Sequence, residues 1–99
     1  MMNIVLACNA GMSTSMMKMR LGQETKARGI EASVAAVLVS ELDEYVDMAS
    51  VILLGPQVWY AEKELKEKYP NVPMMVMDMR DYGSINAKVV LDKALQLLK

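Results

Sequence analysis

Short apolar runs alternate along the chain with longer charged stretches of helical period, the pattern of strand and helix units packed on a mainly parallel sheet. Four strands are expected, at Asn3 to Ala7, Glu31 to Leu38, Val51 to Leu54 and Met74 to Met77. Their continuous apolar character suits strands covered on both faces. After the first strand the spacing predicts a helix from Ser13 to Arg28, weakened at Gly22 and ended by Gly29, which can adopt the left-handed conformation of a helix stop. Ser40, followed by Glu41, Asp43 and Glu44, reads as the N-cap of a short helix with an acidic first turn. A third helix is predicted over Val58 to Tyr69, with Val58, Ala61, Leu65 and Tyr69 on one stripe and Glu62/Lys66 and Glu64/Lys68 paired outside. Pro70 and Pro73 stop it. A last helix, capped near Ser84, is expected to bury Ile85, Leu91, Leu95 and Leu98. The expected fold class is therefore α/β: a single three-layer domain over residues 1–99, a four-stranded parallel sheet with helices on both faces. No repeat, linker or low-complexity segment interrupts it.

In such a sheet, ligands bind beyond the carboxyl ends of the strands, near the point where the strand order reverses. Three loops are expected on that rim: the one after Cys8, Gly55-Pro56-Gln57, and Asp78 to Gly83. The first carries the chemistry. Cys8 stands where the apolar strand runs out into Asn9-Ala10-Gly11-Met12-Ser13-Thr14-Ser15, a small, hydroxyl-rich stretch leading into a helix. Its backbone N–H groups and the positive end of the following helix favour an anion, whether thiolate or phosphate. Gly11 can supply the positive φ of a tight phosphate-wrapping turn, and Ser13, Thr14 and Ser15 add hydroxyl donors. The same field is expected to lower the thiol pKa and leave a sulfur able to attack phosphorus. A lone cysteine at a strand end is more often a buried small hydrophobe; the seven residues after it argue otherwise.

Composition narrows the chemistry. One cysteine and no histidine in 99 residues exclude an internal disulfide, a Cys/His zinc site and a Ser/His or Cys/His couple, so no metal and no cofactor is expected. A hydrophobic content of 54% supplies a core without such staples. A formal charge of -1 gives no reason to expect nucleic acid. The longest apolar run, Val51 to Leu54, is too short to cross a bilayer, and Met1 is followed by neither a basic segment nor a signal-like core. A cytoplasmic monomer is expected, in a compartment where thiols stay reduced.

The cysteine loop resembles that of low-molecular-weight protein tyrosine phosphatases, whose pattern has an arginine six residues after the cysteine and a general-acid aspartate in an Asp-Pro motif. Here Thr14 holds the arginine position, and neither Asp78 nor Asp81 precedes a proline. Without a guanidinium on the equatorial oxygens and without a placed acid, fast hydrolysis of a phosphocysteine is not expected. The site looks built to hand the phosphoryl group on.

Cys8 to Ser15, together with Val51-Ile52-Leu53-Leu54-Gly55-Pro56-Gln57 and Tyr60, closely resemble the IIB component of the lactose/cellobiose/chitobiose family of the bacterial phosphoenolpyruvate-dependent sugar phosphotransferase system. The resemblance covers the whole chain. It implies a phosphocarrier: a IIA protein passes a phosphoryl group from phosphohistidine to Cys8, and Cys8 passes it to a sugar, expected to be a β-linked disaccharide, held by the membrane-embedded IIC transporter.

The supporting residues follow from position. Gln57 can donate to a phosphate or a partner without adding charge, and Pro56 sits at the turn beside it. Trp59 and Tyr60 are expected as packing or rim residues. Among the methionines after the loop, Met12 and Met16 are expected near the sulfur as an adaptable apolar collar, with Met12 exposed in both partner interfaces; Met17 and Met19 read as filler. Lys18 and Arg20 read as a solvated helix face that could also steer a partner, and Asp78, Asp81 and Tyr82 as closing the rim structurally. The competing functions are a phosphatase-like or arsenate-reductase-like enzyme, a non-catalytic receiver-like or flavodoxin-like binding module, and a redox sensor. A receiver is opposed by the missing acidic residues at the first and third strand ends, and a sensor by the missing resolving cysteine.

Overall fold

Four strands form one parallel sheet, β1 (Met2–Cys8), β2 (Ala32–Leu38), β3 (Val51–Leu54) and β4 (Met74–Val76), in the order β2-β1-β3-β4. The computed structural model describes residues 1–9 and 12–98, with Met12 and Ser13 described in their backbone only. Four α-helices are described: α1 (Met12–Ala27), α2 (Glu62–Lys68), α3 (Met79–Gly83) and α4 (Ala87–Leu97). Two 3-10 segments, Val39–Glu44 and Pro56–Ala61, complete the connections.

Alternation along the central strands builds two cores. Ile4 and Leu6 of β1 with Val51 and Leu53 of β3 face Met17 and Leu21 of α1 and Val90, Leu91 and Ala94 of α4. Val5, Ala7, Ile52 and Leu54 face the other way, onto Leu42, Val58, Leu65 and Tyr69. Every residue of β3 is buried, as expected of a strand covered on both sides. The three-layer α/β class is thus as the hydrophobic pattern predicts, and β3 has the predicted bounds.

Gly29 ends the first helix with φ +71°, the left-handed stop expected of it. The stripe on α2 also forms, Val58 being buried and Ala61, Leu65 and Tyr69 half-buried. Other expectations are corrected. Ser40 is not a cap: β2 runs to Leu38, the turn starts there as a 3-10 segment, and the Glu41 carboxylate accepts from the Leu38 backbone N–H at 3.4 Å. The third helix begins with the 3-10 segment, because Pro56 sets the entry and Val58 leaves helical geometry at φ −112°, ψ 25°. Glu62 pairs with Lys66 at 3.0 Å as predicted, but Lys68 turns to Asp43 at 3.1 Å instead of Glu64.

Where a loop followed by one last helix is expected, the structure has two helices. Asp78 caps α3, accepting from the backbone N–H groups of Arg80 at 2.8 Å and Asp81 at 3.3 Å. Ile85 then takes φ +53°, unusual for a β-branched residue, and Asn86 caps α4 by accepting from the Val89 N–H. Ser84 therefore closes α3 at its C-terminal end rather than opening α4. On α4 the buried residues are Ala87, Val90, Leu91 and Ala94, while Leu98 is 37% exposed and only Leu91 of the expected set is fully buried.

Candidate functional site

β2 and β3 pair with opposite edges of β1, the chain running from β1 to β2 on one side and from β2 back past β1 to β3 on the other, so the strand order reverses beside β1, and its carboxyl end carries Cys8. At this end the Gly55 N–H donates to the Ala7 carbonyl at 2.8 Å, which brings the turn after β3 directly against the cysteine. The topology needed for a crevice at a switch point is met.

The thiol is 3% exposed, yet it is not sealed among aliphatic groups. It borders a cavity of about 150 Å³, with Thr14 and Ser15 from the first turn of α1 on one side and, on the other, Ala36 and Leu38 from the end of β2 and Glu41 from the 3-10 segment after it. That volume is several times what one water molecule requires, which leaves room for a phosphoryl group. The first turn of α1 also brings the positive dipole end of a 16-residue helix to this cavity.

Two side chains fix the walls. The Gln57 amide oxygen lies 3.7 Å from Cys8 Sγ and accepts from the thiol. Thr14, buried at 2% exposure, has its Oγ1 2.8 Å from the Tyr82 hydroxyl, which comes from α3 and is buried as well. The two hydroxyls share a hydrogen bond across 68 residues of sequence and tie α3 to the start of α1. Asp78 holds α3 in turn. The N–H groups of Arg80 and then Asp81 keep its carboxyl below its ordinary pKa, aided by the charge of Lys93.

Of the residues expected at the site, the structure brings together Cys8, Thr14, Ser15, Gln57 and, through Thr14, Tyr82. Asn9 is exposed at the strand end, and Pro56 is buried as the first residue of the 3-10 segment. Met16 at 43% and Tyr60 at 65% exposure stand outside the cavity wall, Tyr60 edge-on to the equally exposed Trp59 with ring centroids 6.2 Å apart. Met17 is buried in the α1 core and Met19 is exposed. Arg20 does not face the cysteine; it lines a groove with Gln23, Ile85 and Lys88 between α1 and α4. The expectations for Ala10, Gly11 and the side chains of Met12 and Ser13, including an exposed Met12, lie outside the described residues. Asp78 to Gly83, expected as a loop, is mostly α3; its structural role at the rim runs through Tyr82.

Sequence reasoning missed the third wall, Leu38 and Glu41. Only the strand order shows that β2 ends beside Cys8, although a β1-helix-β2 unit with a parallel neighbour carried that signal. Gly55, expected on the rim with Pro56 and Gln57, also gains a spatial reason. A Cβ there would lie 3.0 Å from Gln57 Oε1 and 3.1 Å from Cys8 Sγ, closer than side chains pack.

Comparison with known proteins agrees with this geometry. Residues 3–93 match the family described as PTS system, Lactose/Cellobiose specific IIB subunit. The chain is 33% identical over 100 residues to the PTS system oligo-beta-mannoside-specific EIIB component of Bacillus subtilis (strain 168), covering 99% of this chain and 97% of that protein. It is 33% identical over 102 residues to the galactose-specific EIIB component of Lactococcus lactis subsp. cremoris (strain MG1363), covering 96% and 94%. Among solved structures, the cellobiose-specific phosphotransferase IIB component protein of Borrelia burgdorferi superposes with a TM-score of 0.80 at 38% identity, over 98% of this chain and 91% of that one. The lactose-specific IIB component domain of Streptococcus pneumoniae also gives 0.80 over 99% and 98%, but at 11% identity, which shows a shared fold alone.

Proposed function

This chain belongs to the lactose/cellobiose-specific IIB subunits of the sugar phosphotransferase system, and from that membership we propose that it is one IIB domain over residues 1–99 whose Cys8 carries a phosphoryl group from IIA to sugar. The observation that carries the reading is the thiol's place at the mouth of the α1 N-terminus, bordering a cavity of about 150 Å³ at the sheet's switch point. The IIA phosphohistidine is the donor. The S–P bond forms as the N–P bond breaks, the bonding pair returns to the imidazole nitrogen, and that nitrogen takes up the proton the thiol gives up. Charge on the transferring group is met by the N–H groups of the loop from Asn9 to Ser15, with the Thr14 and Ser15 hydroxyls.

Onward transfer reverses the roles: a hydroxyl oxygen of a β-linked disaccharide held by IIC attacks phosphorus, the O–P bond forms as the S–P bond breaks, the bonding pair returns to the Cys8 sulfur, and the proton the hydroxyl gives up restores the thiol. Thr14, at the position where phosphatases place arginine, is a neutral donor, so water gains little help in attacking the phosphocysteine. Relatives of similar identity are named for oligo-beta-mannoside, galactose and cellobiose, which fits sugar selection by IIC rather than by this chain. Among the described residues no helix is long and apolar enough to cross a membrane, and the reading places the protein in the cytoplasm as a monomer that meets the membrane only through IIC. Tyr60, Trp59 and Met16 supply exposed apolar area on that side for docking.

Incubation with the phosphorylated upstream proteins, followed by mass spectrometric mapping, tests this. The label is expected on Cys8 and absent in Cys8→Ser with the fold intact by circular dichroism. Label on any other residue would overturn the assignment.

A further inference from the structure

The Gln57 side chain is exposed at the start of a 3-10 segment, yet its amide oxygen turns in toward the sulfur of the protein's one cysteine. A thiol donates and a carbonyl oxygen accepts, so the end of the amide facing Cys8 in the resting protein is the oxygen. The approach depends on the missing side chain two residues earlier. Any Cβ at Gly55 would sit 3.0 Å from that oxygen and 3.1 Å from the sulfur, tight enough that one of the two groups must give way by a few tenths of an ångström. Gly55, Gln57 and Cys8 therefore form one packed unit across the ends of β1 and β3.

We propose that Gln57 responds to the state of the sulfur, its carbonyl oxygen holding the resting thiol and its amide nitrogen donating to the phosphoryl group once the S–P bond exists. This deepens the phosphocarrier reading and rests on it. When phosphorus replaces the proton on sulfur, the group facing Gln57 changes from a donor to a set of acceptor oxygens. A carbonyl left in place would then oppose phosphate charge. A half-turn about the last side-chain torsion exchanges oxygen for NH₂ without moving the backbone, and such terminal torsions are soft. An amide does this where a carboxylate cannot, since a carboxylate has no donor to offer. Gln57 thus favours the phosphorylated form by one charge-assisted hydrogen bond and positions the thiol before transfer.

The test uses the full chain with its phosphorylated donor in three forms: wild type, Gln57→Leu and Gln57→Glu. With wild type, the side-chain NH₂ resonances of Gln57 should shift on phosphorylation and exchange more slowly with solvent; Cys8→Ser should abolish the change. In Gln57→Leu, the equilibrium of phosphoryl transfer should move about tenfold back toward the donor, the usual effect of losing a hydrogen bond to a charged group. Gln57→Glu should move it further, and Gly55→Ala in the same direction, with circular dichroism confirming folded protein. Unchanged amide signals together with an unchanged equilibrium in Gln57→Leu would overturn the proposal while leaving Cys8 as carrier. If wild-type Cys8 takes no label, the carrier reading itself fails. The amide–sulfur contact is still tested then by pH-dependent iodoacetamide alkylation, where Gln57→Glu should raise the thiol pKa by about one unit and an unmoved pKa refutes contact.

Discussion

At Cys8 the decisive fact is a combination of burial and access. The sulfur is 3% exposed, so bulk water reaches it poorly, but one side of it opens on a cavity walled by Thr14 and Ser15. The wall is held by the bond between Thr14 and Tyr82 at 2.8 Å, buried at both ends. Tyr82→Phe removes one hydroxyl and should cost about 1 kcal/mol in denaturant unfolding. Thr14→Val should cost a similar amount, and the double variant less than the sum by at least about 0.5 kcal/mol, since the residues share a bond. Additive losses would show that the two hydroxyls do not act together. Much at this scale was legible in the chain. Cys8, its hydroxyl-bearing neighbours and Gln57 were marked by their spacing after apolar runs. The Thr14–Tyr82 pairing was not, because a contact spanning 68 residues has no local signature.

At the scale of elements, the chain's errors fall where a turn departs from α-helical geometry. Ser40 looked like a cap by residue type, but the turn starts directly from Leu38, the last residue of β2, whose backbone N–H donates to the Glu41 carboxylate. The segment after β4 looked like loop then helix because Ser84 reads as the cap, whereas Asp78 and Asn86 are the residues that cap. The left-handed Ile85 between them separates α3 from α4, and its half-buried side chain against the α1/α4 core supplies the apolar contact that holds it there. The cap at Asp78 makes α3 acid-sensitive. Its folded-state pKa lies below the ordinary value of 3.8, so its contribution is complete above that value and is lost as pH falls through the lower one. Asp78→Asn should therefore lower the midpoint of thermal unfolding at pH 7 and leave a flatter pH dependence below pH 4 than wild type, measured by calorimetry. Identical acid profiles would remove Asp78 from the account.

For the whole molecule, strand order converts four local patterns into one site. Placing β1 in the middle sets the ends of β2 and β3 on either side of Cys8 and lets α3 reach the same rim from β4. The continuous apolar runs announced the parallel, doubly covered sheet, but they do not encode order, and so the wall formed by Leu38 and Glu41 was invisible before the structure. The proposed function rests on one claim: a phosphocysteine made at Cys8 is kept from water and passed to sugar. The direct measurement is the fate of labelled phosphate on Cys8 when membranes carrying IIC are added with and without a β-linked disaccharide. The account predicts rapid appearance of the label in the sugar, and slow release as inorganic phosphate when sugar is absent. Release of inorganic phosphate at the same rate with or without sugar, and no labelled sugar, would contradict it.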